Sequence, residues 1–106
     1  MRNDAYVVIY LHSPRERWWG MLRSVTPAGA TIRGLSLDSF EPWARSVARR
    51  EDAGIAPTTV FFPIQRIERI DEDESTLSFA SHADRFREWT GEDVKLHLVP
   101  EIGETQ

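Results

Sequence analysis

Aliphatic residues fall on every second position of AYVVIYLH (5–12), where Val7, Ile9 and Leu11 share one side. A strand returns to the same face every two residues, so this spacing predicts a first strand with its odd positions inward. After the polar, proline-containing SPRER, the run from Trp18 to Val25 predicts a second strand. TPAG (26–29) then turns the chain, and ATIRGL (30–35) returns as a third strand in an antiparallel hairpin. The first third reads as a meander.

The period changes in SFEPWARSVARREDAG, where Phe40, Trp43, Ala44, Val47 and Ala48 recur at helical spacing. The pattern predicts a helix over about 39–53, with Ser39 as N-cap, Pro42 in the first turn and Gly54 as the stop. Its opposite face carries Arg45, Arg49 and Arg50. Strand character resumes in TTVFFPIQRIERI (58–70), but Pro63 lacks an amide hydrogen and interrupts a ladder, so two short strands meeting at a bend are expected.

DEDES (71–75) reads as a solvated acidic turn. In SHADRFREWTG (81–91), Ser81 with Asp84 marks a helix start, Phe86 and Trp89 share a face, and Gly91 ends the helix. DVKLHLV (93–99) alternates again, with Val94, Leu96 and Leu98 on one side, and predicts a last strand before a frayed tail. The expectation is one domain over 1–106, mainly β with helices: a core at about 5–35 and 58–70, an inserted helix, and a C-terminal extension at about 76–99.

VVIYLHSPRERWWGMLRSVTPAGATIRG followed by VFFPIQRIERI resembles the Sm-like fold, the small β-barrel superfamily of the Sm, LSm and Hfq proteins. The likeness lies in an alternating first strand, a polar turn, a second strand with a glycine followed by aliphatic-x-Ser (Gly20, Leu22, Ser24), and the strand-four to strand-five hinge with Ile67 and Ile70. It covers about 60 residues. It implies a five-stranded, strongly bent antiparallel barrel, with the 39–53 helix inserted between strands three and four. It also implies open strand-four and strand-five edges, and hence a homo-oligomer. At the hinge, where the family contacts RNA through polar and basic residues, this chain has Phe62, Pro63, Ile64 and Gln65. Ile32-Arg33-Gly34 is similar to a family RNA-binding Arg-Gly pair but lies in strand three, so no RNA-contacting residue is carried over.

Trp18 and Trp19 sit side by side in the second strand and must face opposite ways. With Gly20 at the bend, Trp18 and Leu22 are expected inward and Trp19, Met21 and Arg23 outward. Hiding an outward tryptophan is worth ~1.5–3 kcal/mol, so it needs a cover. Either the inserted helix supplies it through Phe40, Trp43 and Val47, or a neighbouring subunit does. The candidate interface is therefore Trp19, Met21, Phe61, Phe62 and Ile64.

Composition narrows the function. The chain of 106 residues is 41% hydrophobic and 28% charged, as a globular protein is. Cysteine is absent, which removes disulfides and thiolate metal sites and fits a reducing compartment. The N-terminal apolar run of seven residues is too short for a signal core or a membrane span, so a cytoplasmic protein without membrane association is expected.

Net charge is −4, the wrong sign for a general polyanion binder. Twelve of the thirteen basic residues are arginine, through GC-rich codon usage or through bidentate anion recognition; any RNA binding would run through Arg45, Arg49 and Arg50. His12, His82 and His97 lack metal-ligand spacing, DEDE lacks the glycine of a calcium loop, and no serine sits in a nucleophile elbow. No catalytic residue, metal or cofactor is expected. The reading is a non-catalytic oligomerisation or partner-binding module, with an RNA-binding Sm-like protein and a small-ligand binder or enzyme as alternatives.

Overall fold

The computed structural model describes residues 1–99. It is an α+β fold with a five-stranded antiparallel sheet, in the order β4-β3-β2-β1-β5. The strands are β1 (Tyr6–Leu11), β2 (Glu16–Thr26), β3 (Gly29–Ser36), β4 (Thr58–Pro63) and β5 (Ile67–Glu72). Helix α1 (Leu37–Arg49) lies between β3 and β4, and α2 (His82–Thr90) and α3 (Lys95–Leu98) follow β5. A three-residue 3-10 turn, Ile64–Arg66, joins β4 to β5 at the proline expected to bend the chain. The predicted tail, the last seven residues, lies outside the described residues.

Strand alternation builds two cores, one on each face of the sheet. Val7, Ile9, Leu11, Leu22, Ala30, Ile32 and Phe62 fill one, with Trp18, Val60, Ile67 and Ile70 at its margin. Val8, Trp19, Met21 and Leu35 form the floor of the other, which the helices roof with Phe40, Trp43, Ala44, Phe86, Val94 and Leu98. Every second residue of β1 and β2 thus goes to a different core. Gly20 pairs with Gly34 across β2 and β3, and a Cβ on Gly20 would come within 2.7 Å of the Arg33 carbonyl oxygen. The ladder shifts register between Leu22 and Ser24, just beyond that close approach.

Helix α1 begins and ends earlier than its sequence suggests. Ser36 rather than Ser39 precedes it, so the helix continues directly from β3 and brings Leu37 against the core. Arg50 ends it in the left-handed conformation, φ 57°, with its N–H bonded to Val47 O at 3.1 Å. That closure comes four residues before Gly54. In α2, by contrast, Ser81 Oγ accepts the Asp84 N–H at 3.0 Å and Gly91 closes the helix at φ 77°, as expected.

The last predicted strand is a helix. Val94 and Leu98, four apart, are buried while Leu96 between them is exposed, a helical rather than an alternating pattern. Asp93 Oδ1 starts the turn by accepting the Lys95 N–H at 2.9 Å. Residues 94–99 consequently add no strand to the edge at β4.

Candidate interaction surface

Among the described residues β4 pairs only with β3, and β5 only with β1, so each offers one unpaired edge. The two differ in chemistry. β5 carries Glu68, Arg69, Asp71 and Glu72, whereas β4, TTVFFP, carries no charge. Natural edge strands are usually guarded by charge, bulges or proline, and on β4 only the terminal Pro63 serves. Beside that edge Phe61 is 51% exposed, and Ile64, just past the end of β4, is exposed as well.

The five candidate interface residues divide accordingly. Phe61 and Ile64 are open to solvent. Phe62 points the other way into the β1–β3 core and meets Trp18 edge-on at 5.3 Å. Trp19 and Met21 are buried inside the chain, which corrects their place in an interface. The inserted helix covers them: Phe40 packs edge-on against Trp19 at 5.0 Å, while Tyr6 stacks on its other side at 5.6 Å. Of the two covers considered for Trp19, the chain uses its own helix.

The acidic turn also departs from expectation: Asp71 and Glu72 belong to β5, and Asp73 is not solvated. Asp73 is half-buried as a residue, but only 4% of its side chain is exposed. Its carboxylate accepts the Trp19 indole N–H at 3.0 Å, the amides of His82 and Ala83 at 2.9 and 3.1 Å, and faces His82 Nδ1 at 3.1 Å. Burial alone would raise its pKa, but the hydrogen bonds from His82, Trp19 and Ala83 outweigh that and hold it below the usual value. Asp73 therefore joins β2, the end of β5 and the start of α2. No local signal marks it, because its partners lie far along the chain.

Arg45, Arg49 and Arg50 remain on the exposed side of α1. Arg45 pairs with Glu41 at 2.8 Å and lies over the Trp89 ring at 5.2 Å, where Arg85 also lies at 5.0 Å. Two clefts open at the surface, one beside β1 and β2 and one at the ends of α1 and α2. One, of about 510 Å³, sets Arg15 and Arg17 among Glu16, Asp38 and Glu68 beside Tyr10. The other, of about 500 Å³, lies between the ends of α1 and α2 and is lined by Val47, Ala48, Arg50, Thr90, Glu92 and His97. His97 Nε2 faces Glu92 Oε1 there at 2.7 Å. Among the described residues no three potential metal ligands are gathered, and no helix is long and apolar enough to cross a membrane.

A further feature went unread in the sequence: Leu77 and Phe79, in STLSFAS (75–81), stand almost wholly in solvent. Two large apolar residues within a run of serine, threonine and alanine are the signal that marks them. No family model, curated protein or solved structure matches the chain.

Proposed function

We propose that the protein is a non-catalytic, Sm-like assembly module that binds copies of itself through its sheet edges, in the cytoplasm. The uncharged, unguarded β4 edge with half-exposed Phe61 carries this reading. The connection supports the barrel-like curl. Pro63 and Ile67 are four Cα steps apart, a reach of at most about 15 Å. They end strands at opposite edges of a five-stranded sheet, which would lie roughly 19 Å apart if the sheet were flat. So short a link between the two edges supports a curled sheet.

A curled sheet with β4 and β5 free can add the β5 of a second copy to β4, continuing the antiparallel alternation. Repeated head to tail, that contact closes a ring. Light scattering at tens of micromolar tests it. A mass of two or more chains that falls to one chain in Phe61→Asp is expected, and a strict monomer at every concentration overturns it.

A further inference from the structure

The cleft beside β1 and β2, about 510 Å³, has the size of a small-molecule site, and a bulge shapes it. β1 and β5 shift register between Tyr10, which pairs with Arg69, and Leu11, which pairs with Ile67, so Glu68 is the extra residue. Ile67 and Ile70 pack against the core on the opposite face. The irregularity therefore turns Glu68 and Arg69 together toward the face that bears Tyr10, and Glu68 lines the cleft. Arg17, paired with Tyr10 from β2, enters the cleft from the other side. Arg15 joins it from the β1–β2 turn, which Arg66 holds by donating to His12 O at 3.3 Å and to Pro14 O at 2.8 Å.

Some of the charges around this cleft are already satisfied. Arg69 lies over the Tyr10 ring at 4.2 Å and pairs with Asp71 at 3.3 Å. Glu16 accepts the Trp18 indole N–H at 3.1 Å and meets Arg66 at 3.5 Å. Asp38 stands in the first turn of α1, where a negative charge suits the helix end. That leaves Arg15, Arg17 and Glu68, charges of both signs that face one cleft and form no ion pair among the described residues.

We propose that this cleft binds a small zwitterion of dipeptide length, its carboxylate held by the guanidinium groups of Arg15 and Arg17 and its ammonium by the Glu68 carboxylate. Arginine forks match a carboxylate with paired hydrogen bonds, and a carboxylate accepts several N–H donors. The length follows from the sheet. Arg17 and Glu68 stand on the strands either side of β1, so their backbones are roughly 10 Å apart. An extended dipeptide spans about 7 Å between its ends, and the side chains supply the rest. Tyr10, on the strand between, offers the body of the ligand an aromatic floor. The sheet and the clamped turn fix the backbones of all three residues before a ligand arrives, which lowers the cost of binding. Their charged groups stay in contact with water, so a dissociation constant of about 1–10 mM is expected. The cleft lies on the face of the sheet, and its occupancy does not depend on how copies of the chain associate.

Three probes with the same body test the two charges separately. Alanyl-alanine is titrated into isotope-labelled protein beside N-acetyl-alanyl-alanine, which keeps only the carboxylate, and alanyl-alanine amide, which keeps only the ammonium. NMR amide shifts at residues 10–17 and 67–69 should move, and the free dipeptide should bind roughly fivefold or more tightly than either blocked form. Glu68→Gln should lower the free dipeptide to the affinity of its N-acetyl form, and Arg15→Gln with Arg17→Gln should lower it to that of the amide. All three side chains are exposed, so these variants keep the fold. Equal binding of the free and N-acetyl dipeptides marks a plain anion site and overturns the proposal. Shifts that survive both sets of substitutions overturn it too, as does the absence of shifts at about tenfold above the expected dissociation constant.

Discussion

The indole N–H of Trp19 donates to Asp73 Oδ2 at 3.0 Å, across 54 positions of sequence. Because the same carboxylate accepts the His82 and Ala83 amides, this bond links β2 to the start of α2 through the residue that follows β5. Its removal can be separated from loss of the ring. Trp19→Phe keeps most of the packing against Phe40 and Tyr6 and should cost ~1–2 kcal/mol. Trp19→Ala opens a cavity and should cost ~3–5 kcal/mol. Urea melts of the two variants measure the difference, and a silent Trp19→Phe would show that the bond contributes nothing.

Asp73 makes stability depend on acid. Its folded-state pKa lies below the ordinary value, so its contribution is complete above the unfolded-state pKa, near 3.9, and is lost as pH falls through the folded value. Asp73→Asn should cost ~1–3 kcal/mol at neutral pH, because amides and the indole lose a charged acceptor. The gap between variant and wild type should narrow below about pH 4. A gap that is constant from pH 7 to pH 3 would contradict the assignment.

Gly34 is a glycine whose replacement should do harm. A Cβ there would strike the Trp19 carbonyl oxygen across the ladder, backbone that cannot move aside without opening β2 from β3. Gly34→Ala should cost ~1–3 kcal/mol or more, by the reasoning that applies to overpacked cores. Gly54 is the control. It is left-handed at φ 71° with nothing within 4 Å of a new Cβ, so Gly54→Ala should cost only ~1–2 kcal/mol for the backbone conformation. Thermal melts that rank the two in the opposite order would contradict this account.

Single-stranded RNA should bind weakly at physiological salt. Net charge is −4, and Arg45 is already engaged by Glu41 and Trp89. Fluorescence polarisation with a labelled oligonucleotide measures this. Submicromolar affinity lost in a variant with Arg45, Arg49 and Arg50 all changed to Glu would reverse the expectation and place the site on α1.

What was legible in the sequence was local. Alternation in AYVVIYLH, the proline after TTVFF, and the Ser81 and Gly91 that bracket α2 each act within a few residues, and each produces the element it predicts. Trp18 and Trp19 do face opposite cores, but burial is unequal: Trp19 is fully buried with Phe40 of α1 edge-on to it, while Trp18 stays partly open, its indole bonded to Glu16 at 3.1 Å. Sequence alone ranked them the other way, because it could not tell that the helical side holds the larger core.

The misreadings share a cause. Val94, Leu96 and Leu98 alternate in sequence, but Val94 and Leu98 are also four apart, and their packing into the core under α1 and α2 chose the helix and left Leu96 exposed. Ser39 and Gly54 are good caps by type, yet the direct exit from β3 and the closure at Arg50 placed the ends of α1 elsewhere. Asp73 is invisible in DEDES because its role is written in Trp19, His82 and Ala83.

The place of β1 in the sheet has a consequence for how the protein is made. β1 lies between β2, which follows at once, and β5, whose Ile70 pairs with Ile9. On the ribosome the meander of β1, β2 and β3 can close early, while the far side of β1 waits through the whole of α1 and β4 for its partner. Until then the nascent chain displays a bare apolar strand, open to pairing with any other chain nearby. Ile70 reaching Ile9 therefore ends the most vulnerable interval in the life of each new molecule.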